Sequence, residues 1–421
     1  MLSDETLEKV IEVIVRRIEE GNTYTLEQIG KSLNKIGTLT PSKAQELGQI
    51  LKYGGDYDKI TKKLAQITKK NVRDIKKIFE EVAKKDLRFA KQFYDYRGKK
   101  FIPYEQNGAL KRQVQAISKI MIDDYISRTK ALGITMKDTK GNVVFKKLNS
   151  AYKEAIDRAI LSVSQGKSTF QDELYRIVKE MGNSGLKSLV YESGRTMRFD
   201  SAVKMQMKDA LRTLHNETQM IVGEQFDANM VEVSHHSNSA PDHIDTVDGK
   251  QFAMIDKIKE QIKNGIEKEI KLEDIKDNKV KVNGKWYDDF NTINSNLQRP
   301  VSTLNCYHYT FTGILGINKP QFTKEELEKS KQQNMKGFEY ENKHYTLYEG
   351  SQLMRNVELE LRKSKDMQIM ARASGETQIV DEMQQKISIL THKYRDIIKV
   401  SGLPSKISRA RVPNYKRIRT S

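Results

Sequence analysis

The sequence predicts a mainly α protein with a small α+β module, built as an elongated, multi-domain helical chain. Apolar residues recur at three- and four-residue steps through most of its length, the period of an amphipathic helix. Strand alternation and Asn-Gly turns are confined to a few short stretches. Charged residues make up 31% and hydrophobic ones 37%, with a mean hydropathy of -0.68. Such a composition suits helices with much surface per residue, and 421 residues exceed what one small core organises.

Residues 1–95 read as an N-terminal helical domain or arm. Val10, Ile14, Val15 and Ile18 form one apolar stripe. Thr25 to Gln28 has the capping-box spacing, Thr40-Pro41 reads as N-cap and N1, and Asn71 can cap a helix carrying Val72, Ile75, Ile78, Phe79 and Val82. Two short helices across 57–84 have the arrangement of a helix-turn-helix, but nothing marks a recognition helix, and simple packing is the favoured reading. A second helical domain, 96–227, follows the break at Tyr96 to Pro103. Its helices fall at 107–132, 147–163, 169–181 and 193–226, with a hairpin at Gly141-Asn142. Ser164 to Ser168 contains Gly-Lys-Ser without the first glycine of a phosphate loop, and reads as a turn.

Residues 228–320 form the α+β module. A strand at 230–234 leads into a His/Asp/Gly-rich loop, and Asn283-Gly284 between alternating flanks marks a hairpin inside a long stretch, 253–298, that reads as an insertion on the same core. Residues 321–403 hold a hairpin turning near Asn342 and the helices of 351–401. Residues 404–421, with six basic side chains and no acid, read as a disordered or loosely tethered tail.

The formal charge is +18, from 74 Lys+Arg against 56 Asp+Glu, which favours anionic partners such as nucleic acid, although a Lys-, Asn- and Ile-rich composition raises the isoelectric point by itself. In the tail, Lys406, Arg409, Arg411, Lys416, Arg417 and Arg419 are expected to contact double-stranded DNA without sequence preference. No apolar run approaches the ~18 residues of a membrane span. Met1 to Glu20 lacks the apolar block of a signal peptide, and one cysteine excludes an internal disulfide, so a reducing cytoplasm is the expected place of assembly.

One constellation has the residue types of metal chemistry. His235, His236, His243, Cys306 and His308 fall within one module, with Asp242, Asp245 and Asp248. Held together, they could bind a metal that activates water, which makes a DNA-directed, metal-dependent nuclease or hydrolase the alternative function. Cys-x-His, however, is not a usual zinc spacing, and no second pair exists. The cluster is therefore read as structural, with His235, His243, Asn305, Cys306 and His308 meeting in space, and no metal or cofactor is assigned. No Walker loop, dinucleotide fingerprint, Gly-x-Ser-x-Gly elbow or His-Glu-x-x-His is present, and no catalytic residue is assigned.

From near Tyr152 onwards, five segments occur in an order that resembles the phage minor capsid protein 2 family, a relative of the Mu F-type head morphogenesis proteins. They are Val163 to Thr169; Val190 to Arg195 with Asp200; Val231 to His235 with Pro241-Asp242-His243 and Asp248-Gly249-Lys250; Leu304 to His308 with Gly316-Ile317-Asn318; and the helix carrying Gln352, Arg355, Glu358, Leu361, Arg362 and Lys365. The sequence departs from the pattern at Ala240 and Tyr307, where arginine is usual, and at Asp248, where glutamine is. The resemblance implies a virion structural protein rather than an enzyme. It would be a minor head component in few copies, assembled in the host cytoplasm, with portal, scaffold or other capsid proteins and the packaged genome as partners. It also implies a protein interface on Gln352, Arg355, Glu358, Arg362 and Lys365, which share one helix face that reads as solvent-facing.

Overall fold

The structure, a computed structural model, describes residues 4–138, 140–189, 196–236, 239, 241–301, 303, 306 and 308–416. In chain order the helices and strands are α1 (Asp4–Gly37), α2 (Pro41–Tyr53), α3 (Asp56–Tyr96), α4 (Gly108–Lys130), β1 (Gly133–Lys137), β2 (Val143–Lys147), α5 (Leu148–Ser164), α6 (Lys167–Ser184), β3 (Lys187–Leu189), β4 (Thr196–Arg198) and α7 (Phe199–Gln225). Then come β5 (Met230–Val233), α8 (Pro241–Ile244), β6 (Gln251–Ala253), α9 (Ile255–Lys263), β7 (Ile275–Lys276), β8 (Lys279–Val282), β9 (Lys285–Asp288), α10 (Phe290–Ser295) and β10 (Thr310–Gly313). The last are α11 (Lys324–Lys336), β11 (Phe338–Tyr340), β12 (Lys343–Tyr345), α12 (Leu347–Ser374) and α13 (Thr377–Ser401). The protein is mainly helical with small sheets, as its sequence predicts.

Two compact units share the chain, each assembled from three separate stretches. The first unit is Met1–Ile11, Ile75–Met121 and Met205–Glu349; the second is Glu12–Asp74, Ile122–Lys204 and Gly350–Ser421.

Long helices run through the start signals of the N-terminal region. Thr25 lies inside α1, and its hydroxyl donates to the Gly21 carbonyl at 2.8 Å instead of capping an end. Asn71 lies inside α3, which is continuous across 57–84, so no helix-turn-helix forms there. The Asn71 side chain is buried. It donates to the Tyr125 hydroxyl at 2.9 Å and accepts from Arg17 at 3.2 Å. These tertiary partners satisfy the polar groups that would otherwise end a helix.

In the second unit, β2-β1-β3-β4 form an antiparallel sheet against which α5 and α6 pack. α12 runs close to its neighbours: a Cβ at Gly30 would lie 2.7 Å from the Met370 carbonyl, and one at Gly182 2.8 Å from the Met367 Cα. In the first unit, β10-β5-β6 form an antiparallel sheet. Met230 of β5 packs with Ala253, Ile258, Val280, Val282 and Leu315, so the stretch 253–298 contributes to this core as well as carrying its own sheet, β7-β8-β9. The turn Asn283-Gly284 has φ of 50° and 77°, and Glu341-Asn342 has 49° and 60°. Positive φ at both central residues is what a two-residue hairpin needs.

α7 is pinned to β10 by side chains. Asn216 accepts from the Thr310 hydroxyl at 2.8 Å, Gln219 accepts from the Thr312 N–H at 3.2 Å, and His215 links the Thr310 carbonyl at 3.0 Å to Asp86 at 2.7 Å. This fixes the sheet at the end that carries the histidines.

Candidate functional site

Antiparallel pairing sets Val233 of β5 opposite Thr310 of β10. The residues just beyond β5, Ser234 to His236, therefore lie at the same end of the sheet as His308, just before β10. Ser234 joins them: its N–H donates to the Tyr309 carbonyl and its hydroxyl accepts from the Tyr309 N–H, both at 2.9 Å. α8 and the turn after it return His243 and Asp248 to this end.

Three side chains converge. His243 Nδ1 lies 3.1 Å from His308 Nδ1, and Cys306 Sγ lies 3.9 Å and 3.6 Å from these two nitrogens. All three are buried, at 2%, 3% and 5% exposure for His243, His308 and Cys306. The far nitrogen of each ring faces an acceptor. His243 Nε2 lies 2.7 Å from the Arg299 carbonyl, and His308 Nε2 lies 2.8 Å from Asp248 Oδ1. A carbonyl can only accept, so the His243 Nε2 carries the proton and its Nδ1 presents a lone pair; the Asp248 carboxylate does the same for His308.

Asp248 is the hub of the surrounding layer. It accepts from His235 Nδ1 at 2.5 Å, the His236 N–H at 2.9 Å, the Ser239 hydroxyl at 2.7 Å and His308. Burial alone would raise its pKa, but the hydrogen bonds from His235, His308 and Ser239 hold it far below the usual carboxylate range. Burial likewise opposes the charged form of His308, yet its bonds to Asp248 and Cys306 prevail and raise it to about 9. The Cys306 sulfur raises His243. The two Nδ1 atoms and the sulfur thus surround a centre that favours positive charge.

The sequence-selected residues divide accordingly. His243, Cys306 and His308 form the centre, His235 and Asp248 the layer around it, and Asn305 lies outside the described residues. Asp242 points to Arg299, which grips it with two hydrogen bonds of 2.8 and 2.6 Å. That bond lowers the Asp242 pKa. Arg299 and Ser239 were not singled out by the sequence, because neither belongs to a metal-ligand residue type and Arg299 is 57 positions from its partner. A separate cleft of about 410 Å³ in the same unit is lined by Phe89, Phe93, Glu232, Phe311 and Gln321 among others. Burial raises the pKa of Glu232 there.

The α12 residues behave differently from a solvent-facing stripe. Gln352 and Arg355 are exposed, but Glu358 and Arg362 are buried at 4% and 8%, and Lys365 is half-buried. Glu358 accepts from the Tyr394 hydroxyl at 2.8 Å; Arg362 pairs with Asp200 and, at 3.0 Å, with Glu19. Arg198 bonds Asp200 at 3.1 Å and Asp366 at 2.7 Å, completing a buried network. Glu358 and Arg362 thus take their partners from elements distant in sequence and not from their own helix face.

Up to Lys416 the basic tail is also laid down rather than loose. Lys365 donates to the Ala410 carbonyl at 2.6 Å, Arg372 to the Lys416 carbonyl at 2.7 Å, and the Lys406 N–H to the Tyr394 hydroxyl at 2.9 Å. Ala410 is fully buried. Lys406, Arg411 and Lys416 have exposed side chains, and Arg409 is half-buried. Arg417 and Arg419 lie outside the described residues, as does the segment Val190 to Arg195.

The family model described as phage minor capsid protein 2 matches residues 2–399. The chain belongs to this family. The match extends well before Tyr152 and takes in α1 to α4 as well. No curated protein and no solved structure matches the chain. As a member of the minor capsid protein 2 family, the protein has a structural role in the phage head, where its partners are other head proteins. Among the described residues, no helix is long and apolar enough to cross a membrane.

Proposed function

We propose that this minor capsid protein is incorporated during head assembly in the host cytoplasm and lies at the portal or capsid interior. There it contacts portal, scaffold or shell proteins and, without sequence preference, packaged double-stranded DNA. Family membership over residues 2–399 carries the reading. Two features support its finer parts. Gln352 and Arg355 leave the start of α12 with exposed polar groups suited to a protein partner. Arg411 and Lys416 project from a backbone already held in place, so binding phosphate there orders little additional chain. Cross-linking of purified heads followed by mass spectrometry tests the placement. Cross-links from this chain to the portal are expected; a chain absent from heads, or linked only to the outer face of the shell, overturns it.

The convergence of two histidines and a cysteine is the observation that favours the second reading, a metal-dependent nuclease. Against it, the three side chains are buried at 2–5% exposure, beyond the reach of a phosphodiester. Cleavage of DNA with Mg²⁺ or Mn²⁺, lost in His243→Ala, would establish that reading instead.

A further inference from the structure

We propose that His243 Nδ1, His308 Nδ1 and Cys306 Sγ supply three of the four ligands of one zinc ion, with water in the fourth position, and that the ion ties α8 and its turn to the segment leading into β10. Three features of the geometry point to it.

The first is convergence. In a tetrahedral zinc site, bonds of about 2.0–2.1 Å to nitrogen and about 2.3 Å to sulfur set ligand nitrogens about 3.3–3.4 Å apart and nitrogen about 3.6 Å from sulfur. The distances here are 3.1 Å between the nitrogens and 3.6 and 3.9 Å from sulfur to each. A proton shared by the two nitrogens uses one edge of this triangle; a metal ion uses all three.

The second is orientation. Each ring turns its Nδ1 inward because Nε2 is occupied outward, on the Arg299 carbonyl for His243 and on Asp248 for His308. A carboxylate or carbonyl behind a metal-bound imidazole fixes the tautomer and makes the ring a better donor. Asp248 is itself held by Ser239, His235 and the His236 N–H.

The third is chemistry. Imidazole nitrogen with thiolate is a donor set for zinc or another borderline-to-soft cation; hard cations such as Mg²⁺ prefer oxygen. Two neutral rings and one thiolate leave a net charge of +1 at the centre, offset by the buried Asp248 carboxylate. The inference is independent of whether the protein contacts the portal or DNA.

The test uses the full-length protein, purified without chelator. Elemental analysis should find one zinc per chain, and chelator should lower the melting temperature, with added zinc restoring it. Replacing zinc with Co²⁺ should give tetrahedral visible bands and a near-ultraviolet thiolate-to-cobalt band that vanishes in Cys306→Ser. Asp248→Asn, judged folded by circular dichroism, should weaken zinc binding about 10–100-fold. Sub-stoichiometric zinc after incubation with excess zinc and dialysis overturns the proposal, and so does a thiolate-to-cobalt band that survives Cys306→Ser.

Discussion

Arg362 shows how much rests on single charged side chains in the second unit. It is buried at 8% exposure beside Asp200 and Glu19, with Arg198 bridging Asp200 to Asp366. Removing one member strands the others without solvent. Arg362→Ala is therefore expected to lower unfolding free energy by about 3–5 kcal/mol in urea titrations. Arg362→Lys should rescue only part of this, since one ammonium cannot present a planar fork to two carboxylates. Wild-type stability in Arg362→Ala would show the network to be dispensable. Asp56 gives a pH signature. It accepts from Ser32 at 3.1 Å, Lys35 at 2.9 Å and Lys59 at 2.8 Å. Burial works against its ionisation, but the bonds from Lys59 and Lys35 win and lower its pKa to about 2 from 3.8. A depressed carboxyl contributes stability that is complete above the unfolded value and lost as pH falls through the folded one. The difference between wild type and Asp56→Asn, about 1 kcal/mol after allowing for the exposed lysines, should be constant near neutral pH and disappear between about pH 4 and pH 2. A difference that grows in acid would reverse the assignment.

At the scale of elements, α12 changes character along its length. Its beginning is exposed at Gln352 and Arg355; its middle is core. Arg355→Glu alone should reduce incorporation into heads while leaving the melting temperature unchanged, whereas adding Arg362→Glu should unfold the second unit. Normal incorporation of the single variant would remove the interface from this helix. The Asn283-Gly284 hairpin makes a sharper claim. Gly284 has φ of 77°, so Gly284→Val should destabilise the first unit by about 1–3 kcal/mol; an unchanged thermal midpoint would mean the turn readily adopts another form. Such hairpins were legible in the sequence because the turn chemistry is local. So were most helices, since their apolar period is local too. The ends of α1 and α3 were not: Thr25 and Asn71 look like caps until Gly21 and Tyr125 supply other partners. The α12 face misled for the same reason, as its ion-pair partners at Glu19 and Asp200 are more than 160 residues away. The cluster, Asp248 included, was legible by residue type, but the Arg299 carbonyl behind His243 and the place of Asp248 behind His308 emerge only from the fold.

Across the whole molecule, the excess of 18 positive charges should produce weak, sequence-independent attraction to DNA. If the C-terminal segment contributes, each phosphate contact adds roughly -0.9 to the log-log salt slope for duplex DNA. Because the backbone of 404–416 is docked, deleting it would also remove packing at Ala410 and the bond to Tyr394. Charge neutralisation is the cleaner probe. Arg411→Gln with Lys416→Gln, Arg417→Gln and Arg419→Gln should flatten the salt dependence measured by fluorescence anisotropy without altering the melting temperature. Identical slopes would assign the affinity to the rest of the surface.

The interleaving of the two units has a consequence for synthesis on the ribosome. Neither unit is a continuous run, and the second draws its last stretch from Gly350–Ser421. While the first 349 residues emerge, Arg198 and Asp200 have no Arg362 or Asp366 to pair with, and Gly30 and Gly182 have no α12 to pack against. The nascent chain must therefore carry an unfinished surface until the stretch 350–421 has been made, the situation in which chaperones are recruited and premature termination is most damaging. A chain stopped at residue 349 is expected to be recovered in inclusion bodies or bound to a chaperone, even though every stretch of the first unit is present.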